Sequence, residues 1–385
     1  EIAQCLVGSE MCIRDRNLGD DLFVHVVTNR YPEVNFTVLA NNTYEGIFGK
    51  NVSLGLDENY HARQKKEIKR LKLLSNLHLP TRLLYPEFFR NYYKTLYRFS
   101  KESDLPIYVI GSAFMENDRY RITSYLADYL YYRKNPIILS CNFGPYHTEN
   151  YLNKHRKLFA MARDICWRDT ESFSLFSDMK NMRKAADIVF NYDLGEEYIL
   201  PEDFGDYIVI SVVSPNKNKG ITEEVLNYIN FLLDIIKESR KESKKVVLVG
   251  FCKNEGDFTV TKKILETLED KSDIFVYHYP EINYRQVMGL FLNATSVVAS
   301  RYHAMVIGFL YQKNTYVIAY SDKTINVIRD IDPNIKWADT RNLSNVNAQD
   351  FLSTFGYRIS DEKLSLVKES ASHQFDVLDE EIRKK

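Results

Sequence analysis

Short apolar runs rich in β-branched residues alternate along this chain with longer segments of helical period. This alternation is typical of parallel sheets, in which a crossover helix joins each strand to the next. In the first half we predict strands near Val34–Ala40, Ile107–Ile110, Pro136–Ser140, Ile165–Arg168 and Asp187–Phe190. Helices are predicted between them at Asp20–Tyr31, Tyr120–Lys134, Glu149–Ala160 and Thr170–Met182. The fold class that follows is α/β.

A break in the pattern divides the chain. The segment Asn191–Asp206 is acidic, contains Gly and Pro and has no sustained period, which is typical of a linker. A second series follows, with predicted strands at Tyr207–Val213, Val246–Gly250, Ile274–Tyr277, Ser296–Ala299 and Thr315–Ala319 and helices at Thr222–Glu238, Thr259–Leu268, Tyr284–Asn293 and Ala304–Tyr311. We therefore predict two α/β domains that face a cleft, over residues 17–195 and 206–345, and a C-terminal helical segment over 346–385.

Charge and cysteine usage limit the partners and the compartment. Lys and Arg number 51 against 52 Asp and Glu, so no overall field attracts nucleic acid, and we predict no nucleic-acid partner. The five cysteines include no C-x-x-C pair, so neither a disulfide framework nor a zinc ribbon is indicated. No apolar run approaches the roughly 20 residues that span a bilayer, and the pattern of a secretory signal is missing. We expect a cytoplasmic protein.

The first sixteen residues, EIAQCLVGSEMCIRDR, form neither a clean strand nor a clean helix. They resemble the read-through of a sequencing adapter. We expect residues 1–16 to be foreign to the natural chain.

Residues 61–103 break the alternation with a basic, aromatic helical insert. Six Lys or Arg stand against one acid between Arg63 and Lys72, and nine Leu, Phe and Tyr residues follow between Leu83 and Tyr97. One interpretation is a helix whose basic residues face water, as charge runs usually do, and whose aromatic side chains pack on the first domain. The other is an interfacial surface that contacts the inner face of the membrane or holds a lipid-linked substrate.

The segment Ser300-Arg301-Tyr302-His303 follows a buried strand and opens a helix. Hydrogen-bond donors and the helix dipole converge there, as a bound phosphate or carboxylate requires. The guanidinium of Arg301 can contact an anion with two nitrogens, and the imidazole of His303 titrates near neutral pH. The alternative is a plain helix entry in which Ser300 is the cap, Arg301 is exposed and His303 is packed.

Other strand ends carry candidate binding residues of lower specificity, each of which is also consistent with a turn or a helix cap. Gly19 and an N-capping Asp20 follow Asn17, and the turn that contains Ser112 follows the strand at Ile107–Ile110. Gly144 and Pro145 rigidify a loop that places His147 at a sheet edge. The loop Ser214–Gly220 offers two lysines to the cleft.

Arg163 and Arg168, each followed by Asp, flank a strand and are candidates for a second guanidinium at the cleft, although such neighbours are more often structural pairs. The sequence contains no P-loop, G-x-G-x-x-G, H-E-x-x-H or G-x-S-x-G motif. Its scattered His and Cys lack metal-ligand spacing, so no structural zinc is predicted.

Taken in order, the segments N-L-G-D-D, I-G-S-A-F, N-F-G-P, A-R-D followed by S, and S-R-Y-H with Y-S-D-K resemble the polysaccharide pyruvyl transferase family over residues 17–330. The resemblance implies two Rossmann-like domains arranged as in GT-B glycosyltransferases. It also implies transfer of pyruvate from phosphoenolpyruvate to a sugar as a ketal, without a cofactor. Arg301, His303 and the nearest match to the mid-chain arginine, Arg163, would face the donor.

A mechanism follows as a hypothesis from what this donor requires. Arg301 and Arg163 bind its anionic groups with help from Lys323, and His303 protonates C3 or binds phosphate. His147 positions or deprotonates the acceptor, while Asn17 and Asp20 line the same cleft. The acceptor is a sugar of a cell-surface polysaccharide or its lipid-linked precursor.

Two other functions stay open on the residues alone. A nucleotide-sugar glycosyltransferase would have the same fold and would use the loop around Lys219 and Gly220 for a diphosphate. A non-catalytic surface-assembly protein would use residues 61–103 and would need neither Arg301 nor His303.

Overall fold

The structure is a computed structural model that describes the backbone of residues 3–6 and all atoms of residues 16–40, 44–56, 103–112, 114–116, 135–195, 198–215 and 222–384. The insert at 61–102, the predicted helix at 120–134 and the loop at 216–221 lie outside these residues. No helix in the described ranges has the length and apolar character needed to cross a membrane.

The first sheet is built from seven parallel strands in the order β3-β2-β1-β4-β5-β6-β7. The strands are β1 (Ala3–Leu6), β2 (Asn35–Val38), β3 (Val52–Leu54), β4 (Leu105–Val109), β5 (Ile137–Cys141), β6 (Asp164–Trp167) and β7 (Met182–Lys184). Every residue of β5 and β6 is buried, because helices cover both faces of such a sheet.

The second sheet has six parallel strands in the order β10-β9-β8-β11-β12-β13. They are β8 (Tyr207–Val212), β9 (Lys245–Gly250), β10 (Ile274–His278), β11 (Ser296–Ala299), β12 (Asn314–Ala319) and β13 (Trp337–Asp339). Both sheets therefore run outward from their first strand and then reverse, which is the Rossmann order. The reversal points lie between β1 and β4 and between β8 and β11, where such sheets bind ligands.

The helices of the described residues connect these strands and close the C-terminus. They are α1 (Leu18–Arg30), α2 (Glu149–Phe159), α3 (Thr170–Ser174), α4 (Glu223–Lys241), α5 (Asp257–Thr267), α6 (Tyr284–Asn293), α7 (Tyr302–Leu310), α8 (Asp322–Ile331), α9 (Ala348–Thr354), α10 (Asp361–Ser372) and α11 (Asp376–Arg383). The prediction of an α/β chain with two Rossmann-like domains is confirmed.

The two domains share one apolar core. Buried side chains of α1, such as Leu22 and Val27, belong to the same cluster as Met305 and Phe309 of α7. A polar contact joins the domains as well: the backbone N–H and Oγ1 of Thr170 each donate to the carboxylate of Asp330 at 2.6 Å. The cleft is thus held by packing and by hydrogen bonds.

The C-terminal segment crosses back to the first domain. The buried side chain of Gln374 accepts from the backbone N–H of Ser140 at 2.9 Å and donates to the carbonyl of Ala186 at 3.0 Å. Asp379 of α11 accepts hydrogen bonds from Nη2 of Arg30 and from the hydroxyl of Tyr31. These contacts attach the end of the chain to α1 and the first sheet.

Two predicted elements of the first domain are wrong. The run Asp187–Phe190 is not a strand: Ile188–Asn191 is a 3-10 helix, and the Asp187 side chain accepts from the backbone N–H of Val189. Three apolar residues after an aspartate do not distinguish a strand from a buried turn, because both bury such a run. The helix predicted for Thr170–Met182 ends at Ser174, and Met182 begins β7 instead.

The expectation that residues 1–16 form no regular element is wrong for residues 3–6. Their backbone pairs in parallel with β2 on one side and with β4 on the other. This is the position of the first strand of a Rossmann-like sheet. The foreign origin of the segment stays a prediction.

Candidate active site

A cavity opens where the carboxyl ends of the two sheets face each other. It contains about 710 Å³ of space not filled by protein atoms, its open mouth included. Its walls come from segments that follow β1, β4, β6, β9, β11 and β12. The lining residues are Asn17, Asp20, Gly111, Ser112, Met115, Arg168, Phe251, Cys252, Glu255, Arg301, Tyr302, His303 and Tyr320.

Arg301 is buried at the N-terminal end of α7. Its Nε donates to Oδ2 of Asp257 at 3.1 Å, Nη2 donates to the other oxygen of the same carboxylate, and Nη1 donates to Glu255. The alternative that Arg301 is an exposed residue at a plain helix entry is wrong. Burial opposes its charge, but the neighbouring carboxylates raise the pKa of Arg301 well above its usual value, so the guanidinium stays charged.

Arg168 follows β6 in the first domain and reaches the same cavity from the opposite side. Its Nη1 donates to Oδ2 of Asp187 at 2.8 Å, and its Nη2 donates to Oδ1 of Asn142 at 3.1 Å. The guanidinium carbon lies 4.4 Å from the ring centre of Tyr302, a cation–π contact across the domains. Two arginines from different sheets therefore face one space.

His303 lies in the first turn of α7, with 12% of its side-chain surface exposed. Its ring meets Phe23 of α1 edge to face, with the ring centres 5.0 Å apart. Burial lowers the pKa of His303 to about 4, against the opposing charge of Asp187 and with help from those of Arg168 and Arg301. The imidazole is therefore neutral near pH 7 in this state.

The start of α1 forms the wall opposite His303. Asn17, and not Asp20, is the N-cap: its Oδ1 accepts from the backbone N–H of Gly19 at 3.0 Å. Asp20 lies in the first turn and still lines the cavity. Only glycine fits at position 19 beside His303, because a Cβ on Gly19 would lie 2.6 Å from Cε1 of the imidazole ring.

Five predicted site residues meet at this cavity: Asn17, Asp20, Ser112, Arg301 and His303. The Oγ of Ser112 is 3.0 Å from Oδ1 of Asn142, which also binds Arg168. The sequence rule that ligands bind after the carboxyl ends of parallel strands located Ser112, Arg301 and His303, whereas Asn17 and Asp20 were placed in the cleft by the family resemblance.

The other four predicted site residues are not among those that line it. Arg163 pairs with Glu381 of α11, and Lys323 lies in the first turn of α8. Gly144 has a φ of +94° and its backbone N–H donates to the carbonyl of Phe114. His147 is exposed, and its backbone N–H donates to Glu116.

The second arginine of the cavity is therefore Arg168, and the choice of Arg163 for it is corrected. Arg163 precedes β6, whereas Arg168 follows it, and only the carboxyl end of a parallel strand faces the cleft. The same rule, applied strictly to both arginines, selects Arg168 from the sequence.

Three acidic residues of the site were not predicted. Asp257 is fully buried at the start of α5 and accepts from the backbone N–H groups of Phe251 and Cys252, each at 2.9 Å. Glu255 lines the cavity. Asp187 lies behind Arg168, in the run that the apolar pattern assigned to a strand. Glu255 follows β9 within a few residues, so the strand-end rule gave a signal for it.

Metal ligands are not grouped in the part of the chain that the structure describes: no three His, Cys, Asp or Glu side chains there could hold one ion.

Solved structures that are similar to this chain in architecture include GT-B glycosyltransferases and epimerases. A trehalose-6-phosphate synthase superposes with a TM-score of 0.58 at 8% identity, over 100% of this chain and 99% of the other. A putative UDP-N-acetylglucosamine 2-epimerase from Listeria monocytogenes gives 0.56 at 11% identity, over 100% and 98%. The UDP-GlcNAc 2-epimerase of Methanocaldococcus jannaschii, in complex with UDP-GlcNAc and UDP, gives 0.52 at 9% identity, over 98% and 99%. At these identities the likeness shows the fold, and the GT-B-like arrangement is confirmed.

Sequence comparison decides the family. No curated protein matches the chain, but the sequence model of the family "Polysaccharide pyruvyl transferase" matches residues 17–322. The chain belongs to the polysaccharide pyruvyl transferase family. The matched range begins at Asn17, the cap of α1, and includes Arg168, Arg301 and His303. In this member of the polysaccharide pyruvyl transferases, every residue that lines the cavity lies within the matched range.

Proposed function

We propose that the protein transfers pyruvate from phosphoenolpyruvate to a sugar of a cell-surface polysaccharide or its precursor, forming a pyruvate ketal. The observation that carries this proposal is the meeting of Arg168 and Arg301, from opposite domains, with His303 in one cavity. The family membership of the chain supports the same reaction.

The donor explains the need for two arginines. Phosphoenolpyruvate carries a phosphate and a carboxylate, and each anionic group suits the paired N–H donors of a guanidinium. Arg168 and Arg301 reach the cavity from different sheets, so each can take one group. Their present partners, Asp187 for Arg168 and Asp257 with Glu255 for Arg301, hold the side chains in place before the donor binds.

Ketal formation requires one proton at C3 of the donor. In the proposed reaction His303 gives its proton to C3, the double bond opens, and a sugar hydroxyl adds to C2. The bond from C2 to the phosphate oxygen then breaks, and a second hydroxyl of the sugar forms the second C–O bond. Of the two hydroxyl protons, one restores His303 and the other leaves with phosphate, so the reaction balances.

His303 has to gain its proton when the donor binds. Burial lowers its pKa to about 4 in the ligand-free site, so the ring is neutral near pH 7. Two anionic groups of a donor beside Arg168 and Arg301 would cancel the charges that lower this pKa. The bound donor therefore favours the imidazolium that the reaction needs.

Carboxylates are available to accept the hydroxyl protons of the sugar. Asp20 and Glu255 both line the cavity, on walls that belong to different domains. We assign the role of base to these two residues in place of His147, which is exposed and does not line the cavity.

A binding experiment separates this function from nucleotide-sugar transfer without requiring the acceptor. Phosphoenolpyruvate and a panel of UDP-sugars are titrated calorimetrically into the protein and into Arg301→Ala and His303→Ala, with circular dichroism as the folding control. We expect saturable phosphoenolpyruvate binding that weakens in both variants. Binding of a UDP-sugar with no response to phosphoenolpyruvate would replace the proposal with glycosyl transfer.

A further inference from the structure

Asp187 is a completely buried carboxylate that lies between two cavity residues. Its Oδ1 accepts from the backbone N–H of Val189 at 2.9 Å. Its Oδ2 accepts from Nη1 of Arg168 at 2.8 Å and lies 4.0 Å from Nε2 of His303. A single oxygen therefore faces both the guanidinium of the first domain and the imidazole of the second.

Of the two neighbours of Oδ2 of Asp187, only one forms a hydrogen bond with it. Arg168 has a direct bond to it, whereas the buried Nε2 of His303 has no hydrogen-bond partner among the described residues. A buried nitrogen without a partner is costly, and a short movement of His303 or Asp187 would supply the missing bond. Asp187 is therefore hydrogen-bonded to Arg168 and lies close enough to His303 to form a second hydrogen bond after a small movement.

We propose that Asp187 is a positioning residue that couples donor binding at Arg168 to the protonation of His303. The inference rests on the proposed function for the identity of the donor. The titratable and charged groups that face the His303 ring are Asp187, Arg168, Arg301 and Tyr302, and Asp20 lines the same cavity.

The physical basis is competition for one negative charge. In the ligand-free site the charge of Asp187 is largely compensated by Arg168, and burial keeps the pKa of His303 at about 4. An anion bound to Arg168 compensates that guanidinium instead, which leaves the carboxylate of Asp187 to His303. The ring then takes a proton from solvent as the donor binds.

Ring titration by NMR tests the coupling in ligand-free protein. The His303 signal, assigned with His303→Gln, is followed against pH in the wild type, Asp187→Asn, Arg168→Gln and the double variant. We expect Arg168→Gln to raise the pKa of His303. We expect the double variant to titrate about one pH unit or more below Arg168→Gln, as a charge about 4 Å away produces.

The comparison of Arg168→Gln with the double variant is the decisive one. The double variant has no unpaired buried charge, so it is expected to fold. If Arg168→Gln, which leaves Asp187 without its ion-pair partner, does not fold, the wild type against Asp187→Asn gives the same comparison. The same pKa of His303 in Arg168→Gln and in the double variant would overturn the coupling. A carboxylate with only a structural role does not change the pKa of a neighbouring histidine.

Proton uptake tests the link to the donor. Phosphoenolpyruvate is titrated at pH 7 in buffers of different ionisation enthalpy, and the uptake is compared between the wild type, His303→Gln and Asp187→Asn. We expect an uptake in the wild type that both variants reduce, and equal uptake in all three would overturn the proposal. If the wild type binds no phosphoenolpyruvate, the proposed function fails, while the ring titration still decides the role of Asp187.

Discussion

Gly19 in the first turn of α1 packs directly against the imidazole ring of His303, so a helix of one domain touches a cavity histidine of the other. A Cβ at Gly19 would lie 2.6 Å from Cε1 and 2.8 Å from Cγ of that ring. We expect Gly19→Ala to displace His303 and to lower kcat/KM at least tenfold, because the ring cannot stay in place. Enzyme kinetics with phosphoenolpyruvate measure this. Gly195→Ala, in an exposed loop, is the matched control, and equal rates for both variants would contradict the contact.

Glu255 pairs with the guanidinium of Arg301, which is one of the two groups proposed to bind the donor. Its carboxylate accepts from Nη1 of Arg301 and lines the cavity. We expect Glu255→Gln to strengthen phosphoenolpyruvate binding roughly tenfold, equivalent to about 1.4 kcal/mol, since one negative charge leaves the site. The same change is expected to lower kcat if Glu255 accepts a sugar proton.

Calorimetric titration gives the affinity for this variant, and Glu242→Gln, at an exposed position, is the control. Weaker donor binding in Glu255→Gln would contradict a net repulsion between this carboxylate and the donor.

The carboxyl group of Asp21, at the contact between the two domains, makes the free energy of unfolding depend on pH. It is completely buried, accepts from the hydroxyl of Tyr279, and burial raises its pKa to about 8. The folded protein keeps Asp21 protonated between its unfolded pKa near 3.8 and about pH 8, so stability falls as pH rises through this window.

Asp21→Asn removes this titration. Relative to the variant, the wild type should lose about 1.4 kcal/mol of unfolding free energy per pH unit between pH 5 and 8. Urea unfolding at several pH values measures the difference, with Asp203→Asn at an exposed position as the control. A difference that does not change with pH would contradict a protonated Asp21.

Gln374 fixes the C-terminal segment to the first sheet through three backbone groups. It accepts from the N–H of Ser140 and donates to the carbonyls of Ala185 and Ala186. We expect Gln374→Leu to lower the unfolding free energy by about 2–5 kcal/mol, because these buried groups lose their partners. His373→Ala, on an exposed neighbour, should change it little in the same denaturation experiment, and equal losses would argue against the role of Gln374.

The sequence predicts the larger part of this fold because parallel strands buried on both faces are continuous apolar runs. The strands Tyr207–Val212 and Ser296–Ala299 coincide with such runs in the sequence. The three-residue strands Val52–Leu54 and Trp337–Asp339 were not predicted, since a run so short carries no period.

The sequence predicts the residues of the candidate site where it predicts the preceding strand correctly. Arg301 and His303 follow a clear buried strand, and both line the cavity. Asp187 could not be recognised, because the apolar residues after it have the composition of a strand while their backbone forms a 3-10 helix. Which arginine pairs with which carboxylate depends on tertiary packing, and no local pattern records it.

The affinities of Arg168→Gln and Arg163→Gln for phosphoenolpyruvate show which arginine of the first domain binds the donor. Arg168 lines the cavity opposite Arg301, whereas Arg163 pairs with Glu381 of the C-terminal helix and does not line it. Calorimetry is expected to show a loss of about a hundredfold or more in Arg168→Gln and the wild-type affinity in Arg163→Gln. Wild-type affinity in Arg168→Gln together with lost binding in Arg163→Gln would contradict the donor site described for this cavity.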